Sequence, residues 1–313
     1  MLSVIGAINW DISIFEERFA RPGEELSVKR VEEFSGGKGA NAAVAAARVL
    51  GKGRVACIGA LGDDAIGERQ LAGLAAEGVV LDGVVEVTGC ESGRAYILID
   101  AQGRKTIHTH FGANAMIEPK HLRAGGCARV LSQTGVMVIM DPPTPVALSA
   151  AKTARRLGAK VIYSPAVRTQ EGLKALEGVI ELADFLVVDR IELMNLYRAD
   201  DEEEIMRMLC ERHPRLTVVV TLGPGGCIVS RGGSVRRIAG VELSSLGKEI
   251  LNRTGCGDAF LGVFASYLLM GRGPSEAAVL ANLAGALKAT RLETRGSPTR
   301  RELERTMRAL NLG

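Results

Sequence analysis

Short apolar segments alternate along the chain with longer segments whose apolar residues recur at helical spacing. The short segments are apolar on both faces and bounded by turn or polar residues, which is typical of buried strands in a parallel sheet. They comprise residues 55–59, 136–140, 160–163, 185–188 and 217–221, and the helical segments include residues 145–157 and 202–212. The alternation predicts an α/β protein with a doubly wound, mainly parallel sheet flanked by helices. We expect residues 1–313 to form a single domain of this kind.

Two regions, at about 12–33 and 88–111, interrupt the succession of strand-like and helical segments, because their polar and apolar positions alternate. In the second region, residues 94–100 are followed by a turn at 101–103 and a return segment at 106–110. This pattern predicts a β-hairpin with one solvent-facing side. The two regions form either a small sheet over a cleft or surface decoration, and the alternation alone does not distinguish these arrangements.

The amino-acid composition indicates what class of molecule the protein acts on. The chain has 313 residues, 47% of them hydrophobic and 24% charged, which is enough to bury a large core. A net charge of +3 and an aromatic content of 4% give no reason to expect nucleic acid or an anionic membrane surface. The six scattered cysteines form no C-x-x-C pair, and no apolar stretch approaches the roughly 20 residues of a membrane span. We therefore expect a soluble, cytoplasmic protein that acts on a small molecule.

A glycine-rich segment at residues 254–258 precedes an almost wholly apolar helical segment at 259–269. The unpaired N–H groups and the positive dipole end of a helix N-terminus form an anion site, and glycines let the backbone approach the anion closely. Asp258, in the first turn, is suited to accept a proton from an attacking hydroxyl beside a bound phosphate. Taken alone, the segment is equally compatible with a tight loop and an ordinary helix-start aspartate.

A second glycine-rich segment, residues 35–41, leads into an alanine-rich helix at 42–50. It is not a P-loop, because Glu32 stands where the first glycine of that motif belongs. The chain also lacks a G-x-G-x-x-G motif after a strand and the signatures of protein kinases and serine hydrolases.

Together, the two glycine-rich segments resemble the signatures of the ribokinase-like carbohydrate kinases, the PfkB family. Residues 36–41 are similar to the N-terminal signature in the form found in ribose-phosphorylating members. Residues 254–258 are similar to the C-terminal signature, with Cys256 where alanine is usual. Further matches in order and spacing are residues 6–11, 112–114 and 221–226, so the resemblance covers nearly the whole chain. It implies that the regions at 12–33 and 88–111 form a β-sheet lid.

The resemblance also implies roles for individual residues. Asp258 is expected to be the catalytic base, and the backbone N–H groups of Gly255, Cys256 and Gly257 are expected to stabilise the transferred phosphoryl group. The residues expected to bind the sugar are Asn9, Asp11, Gly37, Lys38, Asn41 and Asp141. Those expected along the nucleotide are Thr221, Gly223 and Gly226, at the phosphates, and Asn282, near the adenine.

Expected cofactors follow from the same resemblance. ATP is the expected phosphate donor, with ADP as an alternative, and Asp189 and Glu192 are expected to organise Mg²⁺ through water. Asn252 stands where an aspartate is usual, with Arg253 beside it, and Glu293-Thr294 stands where Gly-Ala is common. Both changed places belong to loops that hold K⁺ in this family. We therefore predict weak or absent activation by K⁺.

The expected reaction is phosphorylation of a hydroxyl of a small sugar, most simply ribose or a related pentose. A nucleoside kinase and a ribose 1-phosphate kinase are alternatives, and a non-catalytic sugar or nucleotide sensor is less favoured because Asp258 and both glycines are present. The expected lid carries basic residues that either face solvent or hold a substrate phosphate: Arg18, Arg21, Arg94, Arg104, Lys105, His108 and His110. Family analogy makes a homodimer through the lid plausible.

Overall fold

The structure, a computed structural model, describes residues 1–197 and 201–310. Its strands are β1 (Leu2–Gly6), β2 (Asn9–Phe15), β3 (Arg30–Gly36), β4 (Val55–Gly62), β5 (Val80–Val87), β6 (Gly93–Ile99), β7 (Lys105–His110), β8 (Val136–Met140), β9 (Lys160–Ser164), β10 (Phe185–Asp189), β11 (Thr217–Thr221), β12 (Cys227–Arg231) and β13 (Ser234–Ile238). Its α-helices are α1 (Lys38–Leu50), α2 (Ala65–Ala76), α3 (Gly125–Ser132), α4 (Thr144–Arg156), α5 (Leu173–Ile180), α6 (Arg190–Tyr197), α7 (Glu202–Arg212), α8 (Cys256–Leu269), α9 (Pro274–Ala289) and α10 (Arg300–Ala309). In these two ranges, no helix has both the length and the apolar character needed to cross a membrane.

The main sheet has the strand order β13-β12-β11-β10-β9-β8-β1-β4-β5. Its strands pair in parallel from β11 to β5, and β12 and β13 add antiparallel pairs at one edge. The predicted strand segments all lie in this sheet, so the doubly wound α/β prediction is confirmed. Two apolar layers cover it: Val138 of β8 belongs to the layer with α1, α8 and α9, and Ile139 to the layer with α3, α4 and α7.

Helices α1 and α8 pack closely because small residues line their contact. A Cβ atom at Gly262 of α8 would lie 2.3 Å from the carbonyl oxygen of Ala42 in α1. Ala42, Ala43 and Ala46 of α1 are fully buried. This close packing brings the N-termini of the two helices, each of which follows a glycine-rich segment, to one place.

A second, four-stranded sheet has the order β3-β2-β6-β7. Strands β2 and β6 pair in parallel, and the outer strands pair antiparallel to them. Strand β6 alternates buried and half-buried residues, whereas β7 is exposed throughout. The predicted hairpin and the small-sheet alternative are therefore confirmed. The strands extend beyond the predicted regions, since β2 pairs from Asn9 and β3 continues to Gly36. This sheet therefore runs directly into the first glycine-rich segment.

Candidate active site

A cleft of about 400 Å³ lies between the two sheets, at the carboxyl ends of the parallel strands and the N-termini of α1 and α8. In open α/β sheets, ligands bind at this edge. The small sheet supplies one wall of the cleft through Ala95, Ile97, Lys105, Ile107 and Thr109.

A second cavity, of about 740 Å³, adjoins this cleft. Thr221, Gly223, Arg253 and Gly257 line both spaces and form their common wall. Every predicted site residue lines one space or the other. The cleft holds Asn9, Asp11, Gly37, Lys38, Asn41, Asp141, Asp189, Glu192, Gly255 and Asp258, and the second cavity holds Gly226, Cys256 and Asn282.

Asp258 lies in the first turn of α8, beside the common wall. The helix begins after Gly255, whose φ of 85° is left-handed and whose Cβ, if present, would lie 2.3 Å from the carbonyl oxygen of Thr294. Glycine is therefore required there. Asp258 is 8% exposed, and its carboxylate accepts a 2.7 Å hydrogen bond from the side-chain amide of Asn41. Burial raises the pKa of Asp258, while Lys38 and the Asn41 bond act in the opposite direction.

Lys38, the first residue of α1, balances the negative charges of the cleft. Burial lowers the pKa of Lys38, whereas attraction by Asp141, Asp258 and other carboxylates raises it. The combined attraction outweighs the effect of burial, so the pKa is raised overall. Lys38 therefore remains a charged ammonium group close to several carboxylates.

Asn9 and Asp11 lie at the start of β2, facing the same cleft. Asn9 Oδ1 accepts a 2.9 Å hydrogen bond from the amide of Asn114. Burial, with added repulsion from Asp258, raises the pKa of Asp11 to about 7. A Cβ at Gly36 would lie 2.1 Å from the Asp11 carboxylate, so this glycine makes room for it.

Asp141 follows β8 with a left-handed backbone conformation, at φ 55°. Its Oδ1 accepts a 3.2 Å hydrogen bond from the backbone N–H of Ala7, and its own N–H donates to the carbonyl of Ser164. Burial raises the pKa of Asp141 to about 6, opposed by Lys38. A non-glycine residue in this region of φ is strained, and such strain collects at functional sites.

Asp189 and Glu192, at the end of β10 and the start of α6, bond reciprocally. The N–H of Asp189 donates to Glu192 Oε2 at 3.0 Å, and the N–H of Glu192 donates to Asp189 Oδ1 at 2.8 Å. Burial and the charge of Asp189 raise the pKa of Glu192 to about 7. Within residues 1–197 and 201–310, no group of three or more His, Cys, Asp or Glu is placed to hold a metal ion.

Comparison with known proteins assigns the family. The model of the pfkB family of carbohydrate kinases matches residues 1–300. The chain belongs to this family. It is 31% identical to ribokinase from Haemophilus influenzae over 306 residues, which cover 96% of each chain.

Solved structures agree with this assignment. Ribokinase from Thermotoga maritima superposes with a TM-score of 0.84 at 25% identity, over 98% of this chain and 99% of that one. Arabidopsis thaliana ribokinase, complexed with ribose and ATP, gives a TM-score of 0.83 at 24% identity over 97% of each chain and supports the fold.

One buried side chain of this pfkB kinase was missed by sequence reasoning. Arg295, 9% exposed, donates to the Gly36 carbonyl at 2.7 Å, to Gln70 Oε1 at 2.5 Å and to Asn41 Oδ1 at 3.3 Å. It links the segment after α9 to the first glycine-rich segment. The sequence carries no signal for it, because an arginine in a loop is ordinarily a surface residue.

The basic residues of the small sheet mostly pair at its surface. Arg18 pairs with Glu24, Arg94 with Glu91 and Arg104 with Asp100. Of the seven basic side chains considered above, all within the described ranges, Lys105 lines the cleft, and its Nζ lies 3.5 Å from Thr254 Oγ1. The only tryptophan, Trp10, donates to Glu33 Oε2 at 2.6 Å on the sheet surface.

Proposed function

We propose that this carbohydrate kinase transfers the terminal phosphoryl group of ATP to a hydroxyl of ribose or a related pentose. The observation that carries the proposal is the place of Asp258, in the cleft directly beside the wall that the cleft shares with the second cavity. A base at such a junction is within reach of a hydroxyl on one side and a phosphate on the other. The ribokinase relative at 31% identity supports the choice of sugar.

The sugar binds in the cleft. Asn9, Asp11, Asn41 and Asp141 present amide and carboxylate groups there, and Lys38 presents an ammonium. Hydroxyl groups both donate and accept, so a mixture of carboxylates and amides satisfies several of them at once.

The nucleotide occupies the second cavity, with its phosphates along the common wall. Asn282 lines this cavity and donates a 2.7 Å hydrogen bond to the carbonyl of Ala239. Val241, Ile250 and Phe260 give it an apolar surface suited to an adenine ring. Thr221 and Gly223 lie between the two spaces, where the phosphates must pass.

The reaction moves one proton and one phosphoryl group. The sugar oxygen attacks the γ-phosphorus, its proton passes to Asp258, and the bond from phosphorus to the bridging oxygen of ADP breaks. Backbone N–H groups at Gly255, Cys256 and Gly257 and the positive end of α8 stabilise the charge on the transferred group. A Cβ at Gly257 would meet no atom within 4 Å, so open space lies in front of this backbone.

Mg²⁺ fits the Asp189–Glu192 pair. Two adjacent carboxylates, one with a raised pKa, favour a divalent cation, and Mg²⁺ commonly uses one or two carboxylates plus water and substrate phosphates. When bound, the ion neutralises phosphate charge. The small sheet covers the cleft and restricts water, which disfavours hydrolysis of ATP.

We also propose a homodimer formed through the small sheet, whose outer strand β7 is exposed throughout and whose other outer strand, β3, is exposed mainly at its start. Such edges pair readily with another chain. Sedimentation of the purified protein would show a monomer if this proposal is wrong.

A substrate panel tests the proposed function. ATP turnover would be measured with ribose, 2-deoxyribose, fructose, inosine, adenosine and ribose 1-phosphate. We expect the highest kcat/KM with ribose. The proposal would be contradicted if none of the pentoses stimulated ATP turnover. A nucleoside is the second candidate, because Ile107, Phe111 and Val167 give the cleft a partly exposed apolar lining that a base would cover. Of the seven basic side chains, all of them described, Lys105 is the one that lines the cleft and would contact the phosphate of ribose 1-phosphate.

A further inference from the structure

Lys288 is a lysine with no exposed surface, near the C-terminal end of α9. Its Nζ donates a 2.9 Å hydrogen bond to the backbone carbonyl of Asn252 and a 3.4 Å bond to the carbonyl of Arg291. Its hydrogen-bond partners are thus peptide oxygens from two separate loops. A buried ammonium is costly unless its surroundings replace its water shell.

Peptide carbonyl oxygens are also the groups with which proteins replace the water shell of monovalent cations. The ammonium group of Lys288 has the same charge and receives the same ligand chemistry. Burial lowers the pKa of Lys288 to about 8, with Cys256 and Asp258 favouring and Lys105 disfavouring the charged form. A cation at this position is therefore within electrostatic reach of the start of α8.

The two loops that Lys288 joins both touch the glycine-rich turn. Asn252 Nδ2 donates to the carbonyl of Leu292 at 2.7 Å, and Asn252 Oδ1 accepts from the N–H of Thr254 at 2.8 Å. Gly255 follows immediately and lies against Thr294. The carbonyl oxygen that Lys288 holds thus belongs to the residue that fixes the entry into α8.

The side chain of Arg253 does not occupy the position of the Lys288 ammonium between the two loops. Its side chain is exposed and it lines both the cleft and the second cavity. The buried cation between the two loops is the ammonium of Lys288.

We propose that Lys288 is a built-in substitute for a monovalent cation: its ammonium ties residues 251–255 to residues 290–294 and so positions the anion-binding turn at the start of α8. This inference rests on the proposed kinase function. It makes Lys288 a positioning residue, which acts on the transferred phosphoryl group through the backbone of the turn. It also gives the expected weakness of K⁺ activation a cause in a single side chain.

Replacing Lys288 by methionine tests the proposal, because methionine matches the lysine side chain as far as Cε and removes the charged Nζ. In tetramethylammonium buffer, we expect wild-type kcat to change less than about twofold on addition of KCl. Lys288→Met should lose about tenfold or more in kcat, the order of one lost charge-stabilising group, with the KM for ribose little changed. K⁺ or NH₄⁺ should then restore much of the loss, and tetramethylammonium should not.

A second readout does not depend on activity. The midpoint of thermal unfolding of Lys288→Met should rise with K⁺ or NH₄⁺ at constant ionic strength, because a ligand that binds the folded state stabilises it. The wild-type midpoint should not rise. Lys152→Met, at an exposed position of α4, is the matched control and should resemble wild type in both measurements. Lys288→Ala, which leaves a cavity for the ion, replaces the methionine variant if that variant does not fold.

Three results would overturn the proposal: strong stimulation of the wild type by K⁺, full kcat of Lys288→Met in the absence of K⁺ and NH₄⁺, or loss of kcat without recovery or stabilisation by either ion. If the wild type does not phosphorylate ribose in any salt, the proposed function fails. The unfolding measurements on Lys288→Met then still decide whether the site accepts a monovalent cation.

Discussion

The side-chain amide of Asn41 donates a 2.7 Å hydrogen bond to the carboxylate of Asp258, across 217 positions of sequence. Asn41 lies in α1 and Asp258 in α8, so the bond joins the two glycine-rich segments into one site. An amide N–H group is only a hydrogen-bond donor, so Asn41 does not compete with Asp258 for the proton that the base must accept. The bond therefore orients the Asp258 carboxylate and leaves it able to act as a base.

Asp258→Asn should reduce kcat by about 10²–10⁴, the usual contribution of a general base. Asparagine keeps the shape of the side chain, and the nucleotide dissociation constant from calorimetry should remain near the wild-type value. Asp82→Asn, at an exposed carboxylate, is the matched control and should retain kcat. An Asp258→Asn variant with wild-type kcat would exclude the proposed base.

Two glycines of the same turn should respond differently to alanine. Gly255→Ala places a Cβ 2.3 Å from a carbonyl oxygen at φ 85° and should lower the free energy of unfolding by about 1–3 kcal/mol. Gly257→Ala meets no atom and should leave stability unchanged or raised by up to about 1 kcal/mol. Its methyl group enters the space between sugar and nucleotide, so kcat should fall by about tenfold or more. Denaturant unfolding and turnover, measured on both variants, separate the loss of stability from the loss of kcat. If Gly257→Ala had the kcat of the wild type, the phosphoryl group would not pass close to Gly257.

The ligand-free protein should lose stability as pH rises toward 8. Burial raises the pKa of Asp11 from 3.8 to about 7, so the folded state binds this proton more tightly than the unfolded chain. The stabilisation is fully present below about pH 4 and is lost as pH rises through about 7. Asp11→Asn removes one of the titrating groups and should make the profile of unfolding free energy less steep between about pH 5 and about pH 8, with the remaining slope due to Asp141 and Glu192, whose pKa values are also raised. An unchanged slope in that variant would show that Asp11 does not titrate in this range.

Arg295→Met should destabilise the fold by about 3 kcal/mol, because it leaves the Gly36 carbonyl and Gln70 Oε1 buried without their donor. Arg300→Met is the control: Arg300 pairs with Glu304 at the surface, and its loss should cost no more than about 1 kcal/mol. Urea unfolding measures both. Equal effects of the two substitutions would place Arg295 outside the structural core.

Local patterns were sufficient to predict five strands of the main sheet and the glycine-rich turns. The strand segments at 136–140 and 217–221 were predicted with the bounds that the structure gives them, because short runs that are apolar on both faces and end at turn or polar residues are typical of buried strands. The placement of Asp258 at a helix start followed from its neighbouring glycines and the apolar run after it.

Tertiary burial of charged residues was not predictable from the sequence. Lys288 reads as an ordinary basic residue in the last turn of a helix, where it favours the dipole, and Arg295 reads as a loop residue. Their burial depends on residues 252–255 and on the first glycine-rich segment, which are distant along the chain, and no local sequence pattern records such contacts. The number of basic residues facing the cleft was unpredictable for a different reason. The ion pairs Arg94–Glu91 and Arg104–Asp100 are local in sequence, but the alternation of polar and apolar positions does not show which face of the small sheet is turned to the cleft.

At position 141, the residue that favours stability differs from the residue that favours activity. Its φ of 55° is one that glycine or asparagine adopts more readily than aspartate, and its carboxylate is buried, which raises its pKa. A library of variants selected only for heat resistance should therefore enrich glycine or asparagine at position 141. The same library, selected for growth on the sugar, should restore aspartate.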